Sequence, residues 1–533
     1  MANILGLHFA HDGGACIFKN NKIVVAISSE RLTRKKKFYG INDEVLDYVL
    51  EVSSLSIEDI DFIAFTDYFK VHSNNIVKLF NEKNIEIQVY SQVLFGNDAD
   101  KELYMEIRDR KIPVVAISHH MAHCASTFYT SPFKEAVCFS LDASMGHIMA
   151  NSLIAIGNEN SIKAVTCPGI MSGVLYAKFT ENLGIGNPLF KAGSTMGLAA
   201  YGQISSQVIT NIDAYIARCF FKENDKYEKE FSLLWKHLAR TENLFSASGS
   251  NTQDAMDIAA DLQFVFERSI LKAVTNIKNN NILNLCLSGG SMLNCNVNSL
   301  ILKQSQFKNI HLFPACGDDG LCVGACLFLA HNILKIPRYS YKASEICYLG
   351  RDYDSKENIL DFDLLAKKLN EGKIIAWHNG KSEYGPRALG RRSLLSDPRS
   401  LRNRDILNFV IKRREWFRPF APVVLEEKCQ DWFDFSAKSP YMLFTARAKR
   451  PKEVPAVVHI DNSARMQTLN QEINLDYFNL VKAFDNLTQI PILLNTSLNG
   501  HNEPILETEK DAIKFFNKYP VDIMVLNNKI YEK

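Results

Sequence analysis

Ile112-Pro-Val-Val-Ala-Ile117-Ser118-His119-His120-Met121-Ala122-His123 is the stretch from which this chain is best read. Its first six residues form an apolar run like the end of a strand, and Ala122-His-Cys-Ala-Ser-Thr-Phe128 behind it can be helical. With a helix from His119 onward, His119 and His123 stand four residues apart on one face, so both imidazoles can reach one ion. Three histidines at a helix start can equally be one buried and two solvated rings, and the spacing alone leaves both readings open.

Working outward, 533 residues exceed one domain and imply two or three. A hydrophobic content of 47% with 23% charged residues is that of a soluble globular protein, with ample apolar material for large cores. The net charge of +2 argues against a general nucleic-acid binder, so any basic site must be local. The start, Met-Ala-Asn-Ile-Leu-Gly-Leu-His, lacks a positive region before its apolar residues, and His11-Asp12 interrupts a signal-peptide core. No apolar run reaches the roughly 18 residues of a membrane span. The nearest approach, residues 321–330, follows Asp318-Asp319 and reads as a buried helix. Twelve scattered cysteines without a C-x-x-C pair suit reduced core thiols and a cytoplasmic location.

Taken in order, residues 4–9, 15–18 and 22–27 read as strands, with Asn20-Asn21 a hairpin turn. His11-Asp12-Gly13-Gly14 turns the chain at their mouth, where glycines would let backbone N–H groups approach a phosphate. Ser29-Glu30-Arg31-Leu-Thr-Arg34-Lys-Lys-Lys37 reads as a solvated basic face. Residues 41–110 read as helix, strand, helix, strand. Ala136-Val-Cys-Phe-Ser-Leu141 is a buried strand ending on Asp142, the placement of functional carboxylates in α/β sheets, though a turn aspartate would look the same. Residues 172–184 and 193–202 read as glycine-punctuated, ligand-lining loops around short helices, and 204–280 as polar helix.

Asn284-Leu-Cys-Leu287 is a strand running into Ser288-Gly289-Gly290-Ser-Met-Leu-Asn294 and a helix, an arrangement that suits a nucleotide. Asp318 and Asp319 before the apolar helix cap it or bind something. Polar, proline-bearing residues 335–350 mark a domain boundary, giving domains 1–340 and 341–533. Beyond it Lys381, Arg387, Arg391, Arg392, Arg399, Arg402, Arg404, Lys412, Arg413, Arg414 and Arg418 crowd together among glycines, prolines and aromatics. Arginine pairs two-toothed with phosphate oxygens, so this concentration reads as an ordered polyphosphate pocket, with a solvated surface or an RNA patch as the alternative. Asn495-Thr496-Ser497 at the end of strand 491–494 offers amide and hydroxyl groups to a ligand, or simply turns the chain.

His119-His120-Met-Ala-His123, Met196-Gly-Leu-Ala199, Leu287-Ser-Gly-Gly290 with Asn294, Gly317-Asp-Asp-Gly320, Tyr384-Gly-Pro-Arg-Ala-Leu-Gly390 with Arg392-Ser393, Phe417-Arg-Pro-Phe-Ala-Pro422, His459-Ile-Asp461 with Arg465, and Asn495-Thr-Ser497 with Glu503-Pro504 occur in this order. Together, over about residues 4–528, they resemble the O-carbamoyltransferases of nodulation factors, cephalosporins and aminoglycosides. The resemblance implies an α/β protein with an N-terminal actin-like ATPase fold, a duplicated ribonuclease-H-like unit, and a C-terminal YrdC-like domain. It implies that the second domain makes carbamoyl adenylate from ATP, accompanied by Mg, and carbamoyl phosphate. The first would then pass the carbamoyl group to an alcohol beside a divalent ion of the Fe(II) type.

On that resemblance His119, His123, Asp142 and Asp318 would ligate the metal, and His11 and Asp12 are candidates for the base that takes the hydroxyl proton. Ser288, Gly289, Gly290 and Asn294 would line a nucleotide in the first domain. Arg387, Arg392, Lys412, Arg414 and Arg418 would hold phosphates in the second, with His459, Arg465, Asn495 and Ser497 around the adenylating centre. The expected partner is a small-molecule alcohol, with no nucleic acid and no membrane, and a homodimer is allowed for. Two positions depart from the family. Ala143-Ser-Met-Gly-His147 replaces a glycine-rich, acid-ended loop, and Ser194 stands where lysine is common; both would border the acceptor pocket. The alternatives are a tRNA threonylcarbamoyladenosine-type modification enzyme and a non-catalytic nucleotide-binding protein.

Overall fold

The structure is a computed structural model and describes residues 2–66, 77–80, 103–143, 151–220, 253–278, 281–353 and 359–533. Its first sheet has seven strands: β1 (Ile4–His8), β2 (Gly14–Lys19), β3 (Lys22–Ser28), β4 (Phe62–Thr66), β5 (Val77–Phe80), β6 (Leu103–Ile107) and β7 (Arg110–Ala116), in the order β3-β2-β1-β4-β7-β6-β5. The second holds β8 (Glu135–Leu141), β9 (Ser152–Asn158), β10 (Ser161–Thr166), β11 (Asn284–Ser288) and β12 (Asn309–Leu312), in the order β10-β9-β8-β11-β12. In both sheets the first three strands form an antiparallel meander, and the remaining two core strands run parallel to the first. The same order and the same senses appear twice, so the duplicated ribonuclease-H-like expectation is met by strand pairing alone.

The sequence accounts for these sheets locally. Asn20 and Asn21 both adopt positive φ, as a tight two-residue hairpin requires. β1 is buried along its whole length, Leu5 and Leu7 facing one core under the helix Asp43–Ser53 and Ile4 the other. That helix begins where the Asn42 side chain accepts the Val45 N–H at 3.1 Å. The second helix expected between residues 41 and 110 falls largely on positions outside the described residues. The described part of that stretch adds β5 and β6 as an antiparallel extension beyond β7.

Each repeat ends in a helix that follows its last strand. His119–Thr130 follows β7, Leu321–Leu327 follows β12, and the two pack against each other where the repeats meet. Arg338 fastens the far end of the first of these, donating to the carbonyls of Phe133, Phe128 and Ser131 at 2.7, 2.8 and 3.0 Å. The segments read as loops at 172–184 and 193–202 are largely the helices Ser172–Asn182 and Pro188–Ala199, because Asn187 caps the second and proline occupies its first turn.

The third sheet is mixed and eight-stranded: β13 (Ile375–His378), β14 (Arg392–Ser396), β15 (Ala421–Leu425), β16 (Phe444–Arg447), β17 (Ser463–Leu469), β18 (Ile492–Ser497), β19 (Ile523–Leu526) and β20 (Lys529–Glu532). Its order is β16-β17-β15-β18-β14-β13-β19-β20. The N-terminal part docks on its outer strand: Ser299 on the helix Cys295–Gln304 accepts the Thr445 N–H at 2.7 Å and donates to the Thr445 carbonyl at 2.8 Å. All twelve cysteines are free and all but Cys167 are buried, as the reduced-thiol reading expects. Among the described residues no helix is long and apolar enough to cross a membrane.

Candidate active site

The helix His119–Thr130 carries His119 and His123 one turn apart, β8 delivers Asp142 at its C-terminal edge, and Asp318 opens the turn before Leu321–Leu327. Two donors thus come from each repeat. Their ligand atoms all lie within 4.8 Å of one another. His123 Nε2 is 3.0 Å from Asp142 Oδ2 and 3.3 Å from Asp318 Oδ1, and His119 Nε2 is 3.4 and 3.6 Å from the same two oxygens. The two Nε2 atoms are 3.2 Å apart. An ion with nitrogen and oxygen donors at about 2.0–2.2 Å sets neighbouring donors about 3–3.6 Å apart, so these residues fit one. Burial opposes a charge on His123, yet the carboxylates of Asp142 and Asp318 outweigh it and raise its pKa. Asp142 is likewise held well below the carboxylate range despite its burial, through its hydrogen bonds to His119 and His123.

His11 and Asp12 sit at the edge of this group. His11 Nε2 lies 3.2 Å from Asp318 Oδ2 and its Nδ1 lies 3.1 Å from Asp12 Oδ2. Burial would lower the His11 pKa, but the Asp318 and Asp12 carboxylates push it up to about 9. Asp12 is held at about 2, against its burial, by the Lys37 ammonium 2.7 Å away and by His11. It therefore steadies a positive imidazole rather than taking a proton, and His11 can take one only in the minority neutral form it has at neutral pH.

The Ser288-Gly289-Gly290 turn supports this donor group directly. Gly289 has φ +93° and presses on the end of β8, and Gly290 donates its N–H to Asp142 Oδ1 at 3.1 Å. Ser288 Oγ is buried with no partner among the described residues. Asn294 is used structurally: it caps Val297 N at 3.3 Å and pairs its amide reciprocally with Gln263 at 3.0 and 3.1 Å.

The second cluster is cationic. Arg387, Arg414, Arg418 and Arg465 all have lowered pKa values, first because they are desolvated; at Arg414, Arg418 and Arg465 repulsion from neighbouring guanidinium groups adds to this, and Arg465 falls to about 9. The Lys412 pKa is well below its usual value through burial and the charges of Arg414, Lys36 and Arg418. Its Nζ donates to Ser497 Oγ at 3.1 Å and to Asn499 O and Oδ1 at 3.0 and 2.5 Å. The nearest acid, Glu415, is 3.9 Å from Arg418 and also pairs with Lys191. Crowded cations with so little counter-charge are matched by a polyanion. Arg387 lies between the two clusters: it reaches towards the Leu293 carbonyl at 3.5 Å and feels both Asp319 and Arg465.

Not every expected residue joins. Arg392 is fully buried, donates to the Gly380 and Arg391 carbonyls at 3.0 Å, and interacts electrostatically with Glu507 and Glu383 instead of the cluster. Asn495 ties Ala388 O and Gln467 Oε1 together at 3.0 and 3.1 Å. His459 stacks edge-on against Tyr201 at 5.3 Å, and burial lowers its pKa. Ser194 is buried within its helix, its hydroxyl without a partner among the described residues, while residues 144–147 lie outside them. Sequence reasoning missed Asn499, Lys36 and Lys37. The alternate spacing Lys412-x-Arg414 and Ser497-x-Asn499 was the available signal for the first.

Residues 3–327 match the family model for the carbamoyltransferase N-terminus and 366–533 that for the carbamoyltransferase C-terminus, so the chain belongs to the carbamoyltransferase family and is a carbamoyltransferase enzyme. It is 30% identical to nodulation protein NolNO of Sinorhizobium fredii, covering 98% of this chain and 79% of that protein. It is 26% identical to nodulation protein U of Azorhizobium caulinodans over 93% of each, and 32% identical to an uncharacterized protein of Synechocystis over 100% and 97%. Among solved structures it is similar to T. kodakarensis HypF, at 13% identity and TM-score 0.32 over 61% of this chain and 47% of that one. So low a score leaves the strand order to carry the fold.

Proposed function

We propose that this enzyme is an ATP-dependent O-carbamoyltransferase working through two half-reactions. In the cationic cleft carbamoyl phosphate, ATP and one water yield carbamoyl adenylate, phosphate and pyrophosphate. Arg387, Arg414, Arg418 and Arg465 bind the phosphates, and Ser497 and Asn499 orient Lys412 towards them. At the second site the hydroxyl of a small-molecule acceptor attacks the carbamoyl carbon, the new C–O bond forms and AMP leaves. His11 in its neutral form takes the hydroxyl proton at Nε2, and Asp12, kept ionised by Lys37, stabilises the imidazolium that results. His119, His123, Asp142 and Asp318 would hold a divalent ion, for which Fe(II) suits the two-imidazole, two-carboxylate donor set, and that ion would supply Lewis-acid polarisation.

The observation that carries this reading is the crowding of Arg387, Lys412, Arg414, Arg418 and Arg465, poor in counter-charge, next to a donor group with metal-site spacing. Incubation with ATP, carbamoyl phosphate and a panel of hydroxylated metabolites, followed by mass spectrometry, is expected to find one acceptor gaining a single carbamoyl group. Labelled pyrophosphate is expected to exchange into ATP only when carbamoyl phosphate is present. No exchange under those conditions overturns the adenylate step.

A further inference from the structure

The basic stretch at 29–37 is only partly a solvated face, with Lys35 and Lys36 exposed but Arg31 buried and Arg34 and Lys37 half-buried. Residues 29–40 form a strap zipped to the turn that bears His11 and Asp12: Gly13 N–H donates to Phe38 O at 3.0 Å, Gly40 N–H to Ala10 O at 3.1 Å, and Ser29 N–H to Gly13 O at 2.7 Å. Gly13 and Gly40 lie so close that a side chain on Gly13 would strike the Gly40 backbone. Lys37, in a left-handed conformation with φ 54°, grips Asp12 at 2.7 Å, and its own N–H is held by Glu30 Oε2 at 2.8 Å. The other side of the strap is fastened to the C-terminal part of the chain. Arg31 Nη2 donates to Gly385 O at 2.9 Å, and Arg34 donates to Ile505 O at 2.8 Å and Pro504 O at 2.7 Å. Between these anchors the exposed Lys36 stands within electrostatic range of the cationic cleft: Glu30 favours its charge, Arg418 and Lys191 oppose it, and it in turn opposes the charge on Lys412.

We propose that the strap couples the two sites, Lys36 being a phosphate-binding residue lent to the cleft by the N-terminal part and Lys37 the positioning residue that carries the effect to the His11–Asp12 turn. An anion in the cleft draws Lys36 inward, and the next residue tightens on Asp12. This rests on the two-site reading above and adds that the sites are mechanically linked. The strap has few other ways to respond, since its ends are fixed by backbone hydrogen bonds on one side and by Arg31 and Arg34 on the other.

The test uses the full chain and inorganic pyrophosphate, followed by titration calorimetry and by hydrogen–deuterium exchange of the peptide covering residues 9–14. Lys36→Ala is expected to weaken pyrophosphate binding about 10-fold, the loss of one charge-assisted contact, with Lys36→Arg restoring most of it and Lys35→Ala changing nothing. Saturating pyrophosphate is expected to slow exchange of the 9–14 peptide in the wild type but not in Lys37→Met compared at equal occupancy of the cleft. Equal binding by wild type and Lys36→Ala overturns the assignment of Lys36. Binding that depends on Lys36 but leaves 9–14 unchanged in the wild type overturns the coupling. Failure of the wild type to bind pyrophosphate at all overturns the cleft as an anion site, and the strap proposal falls with it.

Discussion

Gly290 donates its backbone N–H to Oδ1 of Asp142 at 3.1 Å, and that same oxygen lies 2.6 Å from where a side chain at 290 would begin. The glycine that reads as a nucleotide turn is thus the seat of a metal-ligating candidate. Gly290→Ala must displace the carboxylate, and metal affinity is expected to fall about 10–100-fold. Metal content after dialysis against graded chelator measures it; unchanged content would refute the role of Asp142.

Arg418 belongs to the cationic cleft, whereas His123 is fully buried in the donor group. Arg418→Ala is expected to lower pyrophosphate exchange at least 100-fold. His123→Ala should leave exchange within about 2-fold of wild type and abolish carbamoyl transfer. Parallel loss of both half-reactions in both variants speaks against separate sites.

Asn499 accepts from Lys412 through its side-chain and main-chain oxygens. Asn499→Ala frees the lysine, and exchange is expected to drop about 10–100-fold while metal content stays at the wild-type level. A variant with normal exchange would mean that Lys412 needs no such orientation.

Acid sensitivity is expected away from the active site. His311 is lowered to about 3 and His331 to about 4, both first by burial, with the Arg338 charge adding to it. Each folded-state value lies below the unfolded value of about 6.5, so their stabilising contribution is full above that pH and is lost as pH falls towards 4 and 3. At pH 5 each costs about 2 kcal/mol relative to pH 7. Denaturant midpoints at the two pH values measure the loss, and His311→Gln should recover part of it. Identical losses in variant and wild type would exclude His311.

The pairing of His119 with His123 was legible because a four-residue spacing on a helix is local, whereas Asp142 at a strand end and Asp318 before an apolar helix joined them only through the family resemblance, since the contacts that unite the four are long-range. The C-terminal cluster was legible as composition but not as membership. Arg392 opens β14 and turns to Glu507 and Glu383, and nothing in its neighbours announces that. Asn294 and Asn495 have the right chemistry but give it to Gln263, Ala388 and Gln467. The opposite error occurred at residues 29–37, whose charges read as solvated because the surface they meet lies some 350 to 470 residues further along the chain. The helices at 172–199 were hidden by Gly173, Gly193 and Gly197, which lie inside them.

The division of donors, two from each repeat, bears on how the molecule can breathe. An ion seated there would be a clasp across the joint between the repeats, so any motion parting them would have to release it first. Stripping such an ion would then loosen the joint between the repeats as well as empty the site.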